Sequence, residues 1–226
     1  MRILAIDTAL GACAAAVFDS EKDAVIASES LAMGRGHAEA LMPLLDRMMN
    51  QAAIKFTELD RIAVTVGPGS FTGLRVGIAA ARGIALTVGR PAVGISTLAA
   101  YAAPHIAIDR AEAVVSAIDA RHAQIYVQVF GAGGRTLMPP RHVKVAQFIP
   151  PSTGRVHLTG SGAQLLAEAW PADAPPRIVA EPKPAPDIAW VARLGIVADA
   201  GAAPPKPLYL RPPDARPQGG VRLPRQ

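Results

Sequence analysis

Cysteine is nearly missing from this 226-residue chain: Cys13 stands alone, so neither an internal disulfide nor a cysteine-based zinc site can form. Long apolar runs are missing too. The start Met1–Ile6 is interrupted by Asp7 before it reaches the length of a secretory core, and no later run approaches the roughly 18 uninterrupted apolar residues of a membrane span. A soluble, cytoplasmic protein is expected. Clustered basic charge is also lacking. The formal charge is +5 and the sequence pI about 9.8, yet the arginines and lysines are scattered, so contact with nucleic acid is permitted without being indicated. With half of its residues hydrophobic, the chain fills one globular unit or two closely packed subdomains, and disordered and fibrous classes are excluded.

The apolar segments are short and regularly punctuated. Ile3–Ile6 ends at Asp7-Thr8, and after a turn at Gly11 a second strand runs from Ala12 to Phe18. The same pattern returns at Val115–Asp119 and Ala123–Phe130, and in both copies the phenylalanine lies eleven residues after the aspartate. Equal spacing points to one structural unit used twice. Between the copies, apolar residues at three and four spacing predict a helix over Gly36–Ala52, starting near Leu41 or bent because Pro43 lies inside it. A strand at Ile62–Val66, a helix at Thr72–Val88, a strand at Ala92–Ile95 and a short helix ending before Pro104 follow. Later, Val156–Leu158 reads as a strand, Ala163–Trp170 as a helix, and Ile188–Ala200 as a helix capped by Asp187. These elements imply an α/β protein with two halves and a cleft between them. The expected division is 1–107, a smaller and diverged 108–203, and a tail, 204–226, in which seven prolines and four arginines predict disorder over most of its length.

The stretch Gly67-Pro68-Gly69-Ser70-Phe71-Thr72-Gly73 resembles a phosphate cradle but has the wrong spacing for a dinucleotide fold, and Gly73 is followed by Leu74 instead of the lysine of a P-loop. Pro68 also removes a backbone N–H that an anion nest would use. In the helix beyond, Gly73, Gly77, Ala80, Ala81 and Ile84 form a smooth ridge suited either to internal packing or to assembly. Arg75 and Arg82 share one stripe and are placed to clamp acidic groups. Leu44 and Met48 widen the apolar surface of the first helix beside Leu41 and Leu45.

The segments "ILAIDTALGACAAAVFD", "GRGHAEALMPLLDRMM", "VGPGSFTGLRVGIAAARGIAL", "GISTLAAYA", "AIDARHAQIYVQVF" and "PLYLR" together resemble the TsaB family, also called YeaZ, a relative of TsaD. The resemblance is strongest over residues 1 to 130. It implies a duplicated fold of the actin-like and sugar-kinase (ribonuclease H-like) type. It also implies a non-catalytic scaffold in the complex that transfers a threonylcarbamoyl group to the adenosine just after the anticodon of tRNAs reading codons that begin with A. The partners implied are TsaD, as a heterodimer, and the ATPase TsaE, with tRNA reached through the complex. A homodimer through the same face is also implied. The complex uses ATP and magnesium, and the chain is expected to bind no cofactor independently. The resemblance assigns the partner interface to Leu41, Leu44, Leu45 and Met48 on the first helix and to Gly73, Arg75, Gly77, Ala80, Ala81 and Ile84 on the second. Where TsaD carries His-x-x-x-His for a metal, this chain has Thr97 and Tyr101, so no metal site is expected. Asp7, Thr8 and Asp119 mark a vestigial nucleotide and magnesium site, or are structural turn residues. The alternative function is a stand-alone ATPase or peptidase-like enzyme of the same superfamily.

Overall fold

A computed structural model describes residues 1–108, 113–151 and 154–211. The first half is a sheet of β1 (Arg2–Asp7), β2 (Ala12–Asp19), β3 (Ala24–Ala32), β4 (Arg61–Gly67) and β5 (Ala92–Ser96), in spatial order β3-β2-β1-β4-β5. The first three strands form an antiparallel meander, and β4 and β5 extend it parallel to β1. The second sheet contains β6 (Ala113–Arg121), β7 (Gln124–Gly131), β8 (Thr136–Lys144), β9 (Val156–Thr159) and β10 (Arg177–Val179). Its order, β10-β9-β6-β7-β8, and its strand directions repeat those of the first. The recurrent aspartate-to-phenylalanine spacing is therefore one hairpin in each of two equivalent sheets, and the fold is a duplicated, actin-like α/β architecture.

Among the described residues, five α-helices cover the sheets: α1 (His37–Ala52), α2 (Phe71–Val88), α3 (Thr97–Ile108), α4 (Ala163–Glu168) and α5 (Ile188–Val197). β1 and β4 are apolar on both faces, as the central strands of a covered sheet must be. Leu4, Ile6, Ile62 and Val64 face α1 and α2, whereas Ile3, Ala5 and Ala63 face α5. The second sheet packs on α4 through Val115, Leu158, Leu166 and Trp170. α3 lies against the second sheet through Leu98, Tyr101 and Ala102, which meet Ile118, Val114 and Phe130.

Several expectations change here. α1 spans His37–Ala52, close to the predicted Gly36–Ala52, and Pro43 does not delay its start to Leu41, while α3 runs through Pro104 to Ile108 instead of ending before it. In both, tertiary burial of the apolar side outweighs the unfavourable local propensity of proline. α5, placed by sequence in the second half, covers the first sheet, because the far faces of β1 and β4 need an apolar lid. Arg61 fastens it: its Nη1 donates to the carbonyls of Gly195 at 2.7 Å, Ile196 at 3.0 Å and Ala198 at 2.8 Å. Nor is the beginning of the tail free. Residues 204–211 lie along the first sheet, with Pro205 buried and the Leu208 N–H donating to the Val66 carbonyl at 2.7 Å. The disorder expected of residues 212–226 concerns positions outside the described residues.

Candidate partner-binding face and inter-sheet cleft

Asp7 ends β1 with no exposed surface. Its Oδ1 accepts from the Ala9 N–H at 2.9 Å and from the Thr65 hydroxyl at 2.5 Å, and its Oδ2 is buried without a partner. Burial pushes this carboxyl above the ordinary carboxylate range, against the opposing pull of the Thr65 and Ala9 hydrogen bonds. Thr8, equally buried, donates its hydroxyl to the Gly73 carbonyl at 2.7 Å.

The glycine-rich turn is packed directly onto these residues. The Ser70 N–H donates to the Ala9 carbonyl at 2.7 Å, and Ser70 Oγ caps α2 by accepting from the Gly73 N–H at 3.3 Å. A Cβ on Gly69 would lie 2.3 Å from the Ala9 oxygen, and one on Gly73 2.1 Å from the Thr8 oxygen. The glycines are required by the close approach of the chain to itself. Gly77 belongs to the same contact, since a Cβ there would lie 2.4 Å from Thr8 Oγ1.

A cleft of about 720 Å³ opens above this turn, lined by Ser70 and Phe71 from the first half and by Asp119, Arg121, Tyr126 and Ser161 from the second. Asp119 is exposed; its Oδ1 accepts from the Arg121 N–H at 2.7 Å, and its own N–H donates to Ser161 Oγ at 3.2 Å. Asp7 is absent from the lining. A magnesium-bound nucleotide needs solvent-facing carboxylate oxygens and free backbone donors. Ala9, Leu10 and Gly11 of the first turn do reach the cleft, but the sealed Asp7 and the engaged Thr8 do not fit that group. Thr97 and Tyr101 are core residues, and the Tyr101 hydroxyl donates to the Lys183 carbonyl at 2.8 Å.

The residues expected at a partner interface divide by burial. Leu41, Leu44, Leu45 and Met48 are buried against the first sheet, and Gly73, Gly77 and Ala81 face inward under α2. These seven are corrected to internal packing. Ala80 and Ile84 are half-buried at the edge of the same core, and only Arg75 is exposed. The outward face carries Arg75, Ala79, Arg82, Gly83 and Leu86 instead, with Leu86 85% exposed. On the adjacent α1, Met42 is 54% exposed. α2 is long and apolar enough for a membrane span by composition, but a third of it is buried against the sheet, and Arg75 and Arg82 occupy its solvent side. Those arginines were the sequence signal for the outward face. Small residues occur on both sides of this helix, so their spacing alone does not separate the buried side from the exposed one.

The family model described as TsaD, tRNA N6-adenosine threonylcarbamoyltransferase, matches residues 29–169. The Escherichia coli tRNA threonylcarbamoyladenosine biosynthesis protein TsaB is 36% identical over 126 residues, covering 56% of this chain and 53% of that protein. The chain thus aligns with about half the length of that curated relative, and a Haemophilus influenzae TsaB behaves alike, with 52% covered. An uncharacterized Mycobacterium tuberculosis protein is 33% identical over 219 residues, 95% of this chain and 94% of that one. Among solved structures, YeaZ from Pseudomonas aeruginosa has a TM-score of 0.77 at 24% identity, covering 92% of this chain and 99% of its own. A protein described as similar to peptidase YeaZ from Pseudomonas aeruginosa gives 0.78 at 26% identity, with coverage of 93% and 99%. With its duplicated sheets, its glycine turn folded onto Thr8 and Ala9, and these matches, the chain belongs to the TsaB (YeaZ) branch of the TsaD family.

Proposed function

We propose that this chain is a non-catalytic, partner-binding subunit of the cytoplasmic machinery that adds threonylcarbamoyl to the adenosine following the anticodon in tRNAs reading codons that begin with A. Its direct partner is TsaD, with TsaE, ATP, magnesium and tRNA engaged through the complex, and homodimers use the same face. The observation that carries this proposal is the outer side of α2. An 18-residue helix without a single acidic residue leaves Ala79, Gly83 and Leu86, spaced i, i+4 and i+7 on one side, facing solvent, and Met42 of the adjacent α1 is exposed as well. A large apolar side chain left exposed on a helix face of small residues suits an interface, since Ala79 and Gly83 let a second helix approach closely. The similarity to the Escherichia coli tRNA threonylcarbamoyladenosine biosynthesis protein supports the pathway, and the sealed Asp7 and Thr8 support the absence of independent catalysis.

Reconstitution tests it. The purified chain alone is expected to form no threonylcarbamoyladenosine, and its addition to TsaD, TsaE and the adenylate-producing enzyme is expected to restore synthesis. Ala79→Arg and Leu86→Glu, both at exposed positions, should remain folded by circular dichroism and fail in restoration and in co-elution with TsaD. Full synthesis without this chain, or full binding by both variants, overturns the proposal.

A further inference from the structure

Residues 203–211 are built into the first half with more care than a solvated segment requires. Gly94 on β5 donates its N–H to the Ala203 carbonyl at 2.8 Å, and a Cβ at Gly94 would sit 3.0 Å from the Pro204 oxygen. Gly67 at the end of β4 plays the same part, since a Cβ there would sit 2.9 Å from the Leu208 oxygen. Two glycines at neighbouring strand ends therefore leave a track in which residues 203–208 lie.

The track leads Tyr209 onto the first turn of α2. Its ring stacks on Phe71 at 4.9 Å between centroids, and its hydroxyl accepts from Arg75 Nε at 3.1 Å. The Arg75 guanidinium carbon lies 3.8 Å over the Phe71 ring. One arginine on the solvent side of α2 is thus held by a ring below it and a hydroxyl beside it. Among the described residues it has no carboxylate partner, whereas the half-buried Arg2 and Arg193 and the exposed Arg47 each have one. Arg82, seven residues along the same stripe, is also without a carboxylate among them, and lies about 10 Å further along the helix. A guanidinium positioned in advance and left unpaired is suited to a carboxylate arriving from elsewhere.

We infer that residues 203–211 act as a strap that positions Arg75 as a carboxylate-recognition point on the docking face. The partner surface then carries an apolar helix flanked by acidic residues. This inference rests on α2 being the docking face, and it adds Tyr209 to the interface as a positioning residue acting through Arg75.

The test measures affinity for TsaD by calorimetry at several salt concentrations, using the full chain. Arg75→Glu is expected to weaken binding by about 100-fold, since it sets like charges against each other. Tyr209→Phe keeps the stacked ring and removes the hydroxyl, and a weakening of about 3- to 10-fold is expected, the effect of one hydrogen bond. Arg75→Ala should lower the salt dependence of binding, which a purely structural role for the residue would leave unchanged. Leu86→Glu separates the two ideas. If it leaves binding intact, the docking face itself is wrong; if it abolishes binding while Arg75→Glu, Arg75→Ala and Tyr209→Phe preserve both affinity and salt slope, the strap inference alone falls. A fold check by thermal midpoint accompanies each variant, and Arg75→Lys, which keeps the charge and loses the planar fork, should fall between wild type and Arg75→Ala.

Discussion

Asp7 illustrates how a residue suited to catalysis serves packing. Its carboxyl is enclosed at the end of β1, and its proton is held more tightly in the native state than in the unfolded chain, where a value near 3.8 applies. A raised native pKa means that stability is greatest with the proton on, falls as pH rises above the unfolded value, and levels off once the native group has ionised. Asp7→Asn keeps an oxygen for Thr65 and Ala9 and removes that ionisation. The expected result in chemical denaturation is that wild type loses stability relative to this variant as pH is raised from about 4 towards about 7. A constant difference over that range would contradict the assignment. The glycines beside it give a second prediction at the same scale. Gly77→Ala forces a methyl group against Thr8 and should destabilise by about 3 kcal/mol. Gly83→Ala meets nothing within 4 Å and should stabilise by up to about 1 kcal/mol through helix propensity. Thermal unfolding of the two variants checks the contrast.

At the level of the element, α2 carries small and apolar residues on every side, and only Arg75 and Arg82 in its sequence mark the outer one. The sheet decides: Leu74, Ile78 and Ala85 fill the space over β4, and the opposite side is left to solvent. If that outer side is an interface, Leu86→Glu should reduce concentration-dependent self-association in light scattering while altering unfolding free energy by less than about 0.5 kcal/mol, as for other exposed positions. α1 follows the same division. Its helical periodicity was legible in the sequence, and its leucines and Met48 form the inner side. Met42 is the methionine left outside. The strand β3 was not legible, because its mixed sequence AVIASESLA has an edge strand's partial exposure and lacks a clean apolar run.

For the whole molecule, chain order and spatial grouping part company after residue 187. α5 returns to the first sheet and Arg61 binds the carbonyls at its C-terminal end, a site where a cation also complements the helix dipole. Arg61→Ala should strip three carbonyl oxygens of their donor and destabilise by roughly 3 kcal/mol, measured as a lower denaturation midpoint. Truncation after Ala203 removes the strap and should also lower the midpoint, since the Val66 carbonyl loses the Leu208 donor.

The sequence by itself determined the repeated hairpins, the two apolar helices of the first half and the failure of the glycine turn to match a phosphate loop, because period, spacing and residue type are local properties. The inner and outer sides of α2, the burial of Asp7, the return of α5 and the seating of Tyr209 on Phe71 were decided only by the tertiary structure. Each depends on which distant backbone or side chain occupies the neighbouring space, and that is set by packing across the sheets, beyond the reach of any local pattern.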